Sequence, residues 1–318
     1  MPTIDFAQPQ PPHGEVARIW PRFLLFPTTA IGGYAGLINH WGGEAWWMQG
    51  LWVALLTYSW FCVGGVFHEC AHQTLGKARG ANIWAGRIIG TILGIPYTVF
   101  RECHRYHHSC MNTPQDWEMW PYSDPRSSLT FRRAFVWFDI FAGVIAAPVI
   151  FGRIYWTQSS PLPLPVRRVI YKEYLAIAFV WIAGIAIFAW LAVAGAIEPR
   201  HFNVVWILPL VIAPMLNTLR KFSEHLGMAS NDPILGTRTV VADNFLTRVF
   251  SYFDFELCVH GPHHRHPRLS RDHLASNMQR YIAAHPQKAV PVFSSHRQAL
   301  ADAWPCLFRN PGVGVNAQ

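Results

Sequence analysis

Nine histidines in four short stretches carry the chemistry of this sequence. His68 and His72 stand in "HECAH", His104, His107 and His108 in "HRYHH", His225 in "SEHLG", and His260, His263 and His264 in "HGPHH". At a content of 16 His in 318 residues, chance gives about 0.04 copies of His-x-x-His-His per chain, and here there are two. Imidazole is the commonest side-chain metal ligand, and it suits Zn, Cu, Fe and Ni alike. On a helix, residues i and i+4 or i+3 share a face, so each stretch can present its imidazoles together. Nine exceed what one metal takes, so the set suits two metals with about four or five ligands each.

"HECAH" also matches His-Glu-x-x-His, in which a zinc protease uses two His as ligands and the Glu to activate water. Such a site needs one further ligand, not seven. Its extended form requires Gly and His where Leu75 and Ala78 stand. Six other histidines are scattered, and His266 lies just outside the last stretch. Acidic residues beside the clusters (Glu69, Glu102, Asp116, Glu224 and Asp243) are candidates to accept the second ring N–H of a ligating His, with Glu69 and Asp116 foremost.

The elements that position these residues are apolar. The chain is 51% hydrophobic with 15 Trp and only 14% charged residues, against about 25% in soluble domains. Residues 22–40, 47–67, 174–197 and 202–219 are each long enough to cross a bilayer as a helix. Residues 81–100 and 134–152 are also apolar but contain Arg87 and Asp139, and a charge at mid-span costs about 3 kcal/mol or more. They are expected to lie at the interface or to re-enter. Parity supports this: only two hairpins, four spans in all, put every histidine cluster on one face. Arg153, Arg167, Arg168 and Lys172 fall between the hairpins and mark that face as cytoplasmic.

The expectation is an all-α, multi-pass membrane protein. A loose leader (1–21) precedes the integral-membrane domain (22–275), whose helical cap holds the histidines, and a cytosolic tail (276–318) follows. The net charge of +8 flanks apolar spans rather than forming a nucleic-acid footprint. The six cysteines contain no Cys-x-x-Cys and read as reduced, buried thiols.

At these residues the chain resembles the membrane fatty acid desaturase superfamily, whose three boxes run His-x₃₋₄-His, His-x₂₋₃-His-His and His/Gln-x-x-His-His. "NTPQDWEMWP" (112–121), "TRT" (237–239), Asn244 and Pro267 agree with it, over about residues 47–275. The resemblance implies that the nine histidines hold a non-haem di-iron centre that uses O₂ to oxidise a lipid acyl chain. It also implies that His225 is the ligand between the second hairpin and the third box. One departure stands out: where acyl-CoA members keep an Asn one turn before that ligand, this chain has Lys221. No haem or iron–sulfur motif is present, so electrons come from a separate ferredoxin- or cytochrome-type donor. Basic residues from Arg268 onward offer it a surface, as they do to anionic lipid. The boxes do not separate desaturation from a sister oxygenase (an alkane, carotenoid or sphingoid hydroxylase or ketolase), and a zinc membrane protease is the third class.

Overall fold

The computed structural model describes residues 46–197 and 203–318, together with residue 32. The expected leader and the first expected span lie outside the described residues. Helix α1 (Trp46–His72) covers the second expected span, 47–67, and continues beyond it to the first histidine pair. Its first two turns are exposed, and from Leu56 onward it becomes the buried centre of the molecule. It ends just past His72, where Gln73 turns to φ 61°.

Helices α2 (Arg79–Leu93) and α3 (Tyr97–Ser109) form a pair bent by 102°. The bend is written in "LGIP". Gly94 takes the left-handed conformation (φ 71°) that closes α2, and Ile95 N–H bonds back to Gly90 O at 2.8 Å. Pro96 then sits immediately before α3. The chain therefore turns back, and His104 on α3 meets His72 on α1. Tyr97 Oη–H donates to Cys70 O at 2.8 Å and ties the two helices. Helices α4 (Leu129–Phe141) and α5 (Gly143–Trp156) repeat the device with a 118° bend. There Gly143 leaves room for Pro214.

Helix α6 (Leu164–Val193) starts ten residues before the span expected at 174, because Pro163 begins it and "RRVIYKE" continues it into polar surroundings. No residue of its most apolar stretch is buried, and Phe179, Ile182 and Trp190 are 73%, 69% and 68% accessible. Such a surface needs lipid around it. The expected span at 202–219 is a π-turn (Asn203–Ile207) followed by helix α7 (Leu208–His225), which packs mainly on α1. By length and apolarity α1 and α6 suffice to cross a membrane, and up to four elements do if each bent pair is one span. The expected hairpin partner of α6 is not among them: α7 carries Arg220, Lys221 and Glu224 in its last turns, while Leu208, Val211 and Leu216 on its apolar half are exposed.

The remaining residues build the cap: helices α8 (Phe245–Phe253), α9 (His260–Arg265), α10 (Leu274–Ala284) and α11 (His296–Arg309). The all-α expectation needs one correction. Strands β1 (Thr239–Val240) and β2 (Val292–Phe293) pair in parallel, a two-residue ladder too short to register as a pattern. Helix α10 runs through the expected boundary at 275/276. Met278, Leu307 and Val313 are buried, so residues 276–318 pack as part of the cap.

Candidate metal centre

Each histidine stretch lies on a helix whose local sequence aims it inward. His68 and His72 occupy the last turn and a half of α1, and His225 is the final residue of α7. Gly261 and Pro262 in "HGPHH" would suggest a break after His260 and a helix opening at Pro262. Instead α9 begins at His260 itself. Proline is tolerated there because first-turn N–H groups have no helical partner. The "TRT" stretch positions α9. Thr239 Oγ1 accepts from Gly261 N at 3.0 Å, and Arg238 donates to Leu226 O at the end of α7 and to Asp302 on α11, both at 2.6 Å.

All nine histidines come together, in two groups. His68, His72, His104, His108 and His263 form one; His107, His225, His260 and His264 form the other. Within each group the nearest ring nitrogens all lie within 4.8 Å of one another. The three-imidazole patch on α3 therefore divides. His104 and His108, four apart, serve the first group, and His107 turns to the second. On α9 the division is reversed: His260 and His264 serve the second group, and His263 the first. Each His-x-x-His-His stretch straddles both.

Four of the outer ring nitrogens meet acceptors, while those of His108, His225 and His264 have no hydrogen-bond partner among the described residues. His107 Nδ1–H donates to both oxygens of Asp116, at 3.0 and 2.9 Å. His104 Nδ1–H donates to Glu118 at 2.8 Å, and His260 Nδ1–H to Leu257 O at 3.1 Å. Glu69 Oε1 lies 3.4 Å from His68 Nδ1, and its other oxygen is held by Thr74 and Arg271. Asp116 is itself oriented by Asn112 N and Met119 N.

Of the five acidic candidates, Asp116, Glu69 and Glu224 reach the site, the last through a 3.6 Å approach to His260. Glu102 instead binds Arg101 and Arg105, and Asp243 lies by Asn244. Glu118 is the residue that sequence reasoning missed. Its signal was its place two residues after Asp116 in the same stretch.

An acceptor on Nδ1–H leaves the Nε2 lone pair pointing inward. In the first group His104 Nε2 stands 2.9 Å from that of His72 and 3.0 Å from that of His108. In the second, His260 Nε2 stands 2.7 Å from that of His225 and 3.1 Å from that of His264. His263 Nε2 is buried with no hydrogen-bond partner among the described residues. Converging lone pairs and an orphaned ring nitrogen in a buried site fit a cation in each group. Burial, first among the causes, pushes His260, His263 and His264 well below the ordinary 6.5, into the neutral ligating form. His107 is the exception: burial would lower it, but Asp116 and Glu118 raise it to about 9.

A second feature adjoins the first group. An apolar cavity runs between α1, α5 and α7, lined by Trp60, Gly64, Ala147, Ile150 and Leu210, and His68 is part of its wall. Glu118, Asp139, Arg220 and Lys221 line the cavity as well. From Leu210 to Lys221 the lining follows α7 for about 16 Å at 1.5 Å per residue.

Comparison with known proteins meets this geometry. The sequence pattern of the family described as fatty acid desaturase matches residues 44–296. The chain belongs to the fatty acid desaturase family. It is also similar to an sn-1 acyl-lipid omega-3 desaturase (ferredoxin) of Synechocystis sp., at 24% identity over 302 residues, covering 86% of this chain and 77% of that one. The resemblance read from the three boxes is thus borne out, and this desaturase-family chain is an oxidoreductase of lipid metabolism held in a membrane.

Proposed function

We propose that the two histidine groups hold two iron ions and that the enzyme desaturates the acyl chain of a membrane lipid. The observation that carries this reading is the apolar cavity whose lining includes His68, which gives an acyl chain an apolar site against the first group. When bound, the iron pair would supply the oxidising power, drawn from O₂, that an unactivated C–H bond requires. The overall reaction balances as one –CH₂–CH₂– segment, one O₂, two electrons and two protons giving –CH=CH– and two waters.

The chain's own residues do the rest. His68, His72, His104, His108 and His263 would ligate one iron, and His107, His225, His260 and His264 the other. Asp116, Glu118 and Glu69 hold the rings in register. Trp60, Ala147, Ile150 and Leu210 bind the chain and exclude water. Lys221, which replaces the Asn of acyl-CoA members, is tied to Asp139 at 2.7 Å. This favours a lipid-linked acyl chain, as in the acyl-lipid relative, and a ferredoxin-type donor as named for that relative. In the membrane, α1 and α6 cross, the π-turn and α7 bring the chain back to the histidine side, the two bent pairs re-enter, and the histidine face is cytoplasmic. Arg153 stacks on Trp120 of the cap at 3.8 Å and belongs to that side.

The test is reconstitution with iron, reduced ferredoxin, O₂ and membrane lipid. Two iron per chain and an alkene product are expected. A hydroxylated product would overturn desaturation, and a single zinc per chain would overturn the di-iron reading.

A further inference from the structure

The first histidine group can be reached from two different sides. The apolar cavity reaches it at His68. A second cavity is lined by His72, His104 and His108 of the same group, with Arg79, Arg101, Arg105 and Arg268 around them. No carboxylate is among the described residues that line it. Arg79, Arg105 and Arg268 are exposed, from three separated parts of the chain: the start of α2, the outer face of α3 and the turn after α9. Among the described residues, Arg101 and Arg105 pair with one carboxylate that they share, Glu102, at 2.9 and 3.0 Å. The surface is therefore cationic, solvent-facing and floored by imidazoles of the metal group.

We propose that this arginine-rimmed cavity is the docking site for the electron donor, an acidic one-electron iron–sulfur protein of the ferredoxin class. The proposal rests on the desaturase reading above and extends it to where the electrons enter. Each turnover consumes two electrons, so two reduced ferredoxins are oxidised in turn, each losing one electron while the acyl segment loses two hydrogens and O₂ becomes two waters.

Three observations favour a donor over a lipid phosphate at this position. Electron transfer needs only close approach to the metal ligands, and the floor supplies three of their rings. A phospholipid phosphate bound here would set a head group, not a methylene, against that floor. The methylene already has its own path on the His68 side. Converging positive charge on one rim also speeds the encounter with an acidic partner, and that acceleration fades as salt rises.

The experiment reverses the rim. Arg79→Glu, Arg105→Glu and Arg268→Glu are combined in the full-length, iron-loaded protein, beside a milder set with Gln at the same positions. Two quantities are measured across ionic strength: direct binding of a [2Fe–2S] ferredoxin, and the apparent KM for reduced ferredoxin. Iron content checks that both variants are folded.

The expected result is a loss of ferredoxin affinity of about tenfold or more at low salt for the Glu set, smaller for the Gln set, with a flattened salt dependence. The KM for lipid and turnover with a small-molecule reductant should be unchanged. Unchanged ferredoxin binding in the Glu set would overturn the proposal. So would a raised KM for lipid with an unchanged KM for ferredoxin, which would assign the rim to a lipid phosphate. If the wild type forms no alkene yet binds ferredoxin through these arginines, the docking site stands and the desaturase reading fails.

Discussion

Asp116 and Glu118 stand two residues apart, yet they support different histidine groups, Asp116 through His107 and Glu118 through His104. Removing a carboxylate that orients a ligating imidazole lowers metal affinity by about 10–100-fold. Asp116→Asn should therefore deplete mainly the second group and Glu118→Gln mainly the first. Iron per chain after dialysis against a weak chelator checks this: each single variant should retain about one ion, and loss of both from either variant would show that the groups are not separately supported. Acid should empty the site. His260, His263 and His264 are held neutral well below 6.5, whereas in the unfolded chain they take up protons as pH falls through 6.5. The empty protein thus loses stability as pH falls below that value, and protons displace the metal over the same range. His107, raised to about 9, acts in the opposite sense: its contribution is full below 6.5 and is lost as pH rises through about 9. Iron retention should drop between about pH 7 and about pH 5, as read by metal analysis after gel filtration. At this scale Asp116 was legible because it lies in the acidic stretch that follows the second box. Glu118 was not, since only the course of the loop from 110 to 128 decides which carboxylate meets which ring.

The bent helix pairs owe their place to charges that find partners on neighbouring helices, a half-exposed one at Arg87 and a buried one at Asp139. Arg87 on α2 pairs with Glu173 of α6 at 3.0 Å, and Glu173 also accepts from Thr98 N and Oγ1 at the start of α3. Asp139 on α4 accepts from Lys221 of α7 at 2.7 Å and from Tyr122 at 3.1 Å. Removing one partner of such a pair strands the other and costs about 3–5 kcal/mol. Lys221→Ala should thus lower the unfolding temperature in detergent, whereas Lys221→Met combined with Asp139→Leu should recover much of the loss. Equal destabilisation in both would mean that the pair does not hold α4 to α7. The charges within residues 81–100 and 134–152 correctly warned against simple spans, and "LGIP" marked the first bend. The angles of 102° and 118° were not legible, because they depend on what α1 and α7 offer for packing. The packing of one face of α7 on α1 was likewise hidden: an apolar stretch reads the same whether lipid or protein surrounds it.

Across the whole molecule the metal groups, the apolar cavity and the arginine rim are separate regions that meet at one set of imidazoles. Ala147→Phe should fill the cavity without touching a histidine, so turnover should fall by about tenfold or more while iron content is unchanged. A variant that keeps full turnover would remove this cavity from the path of the acyl chain. That the four histidine stretches converge was legible from their number and spacing. How they would be shared was not, because helical spacing says which residues lie on one face but not which neighbour that face will meet. The sharing has its own consequence. Since α3 and α9 each lend two rings to one site and one ring to the other, capturing a first ion already locks the backbone that frames the second. Filling one group should accordingly raise the affinity of the other in the unaltered chain, so that native mass spectrometry under limiting iron finds fewer singly loaded molecules than independent sites would give, although a variant weakened in one group still keeps the ion in the other.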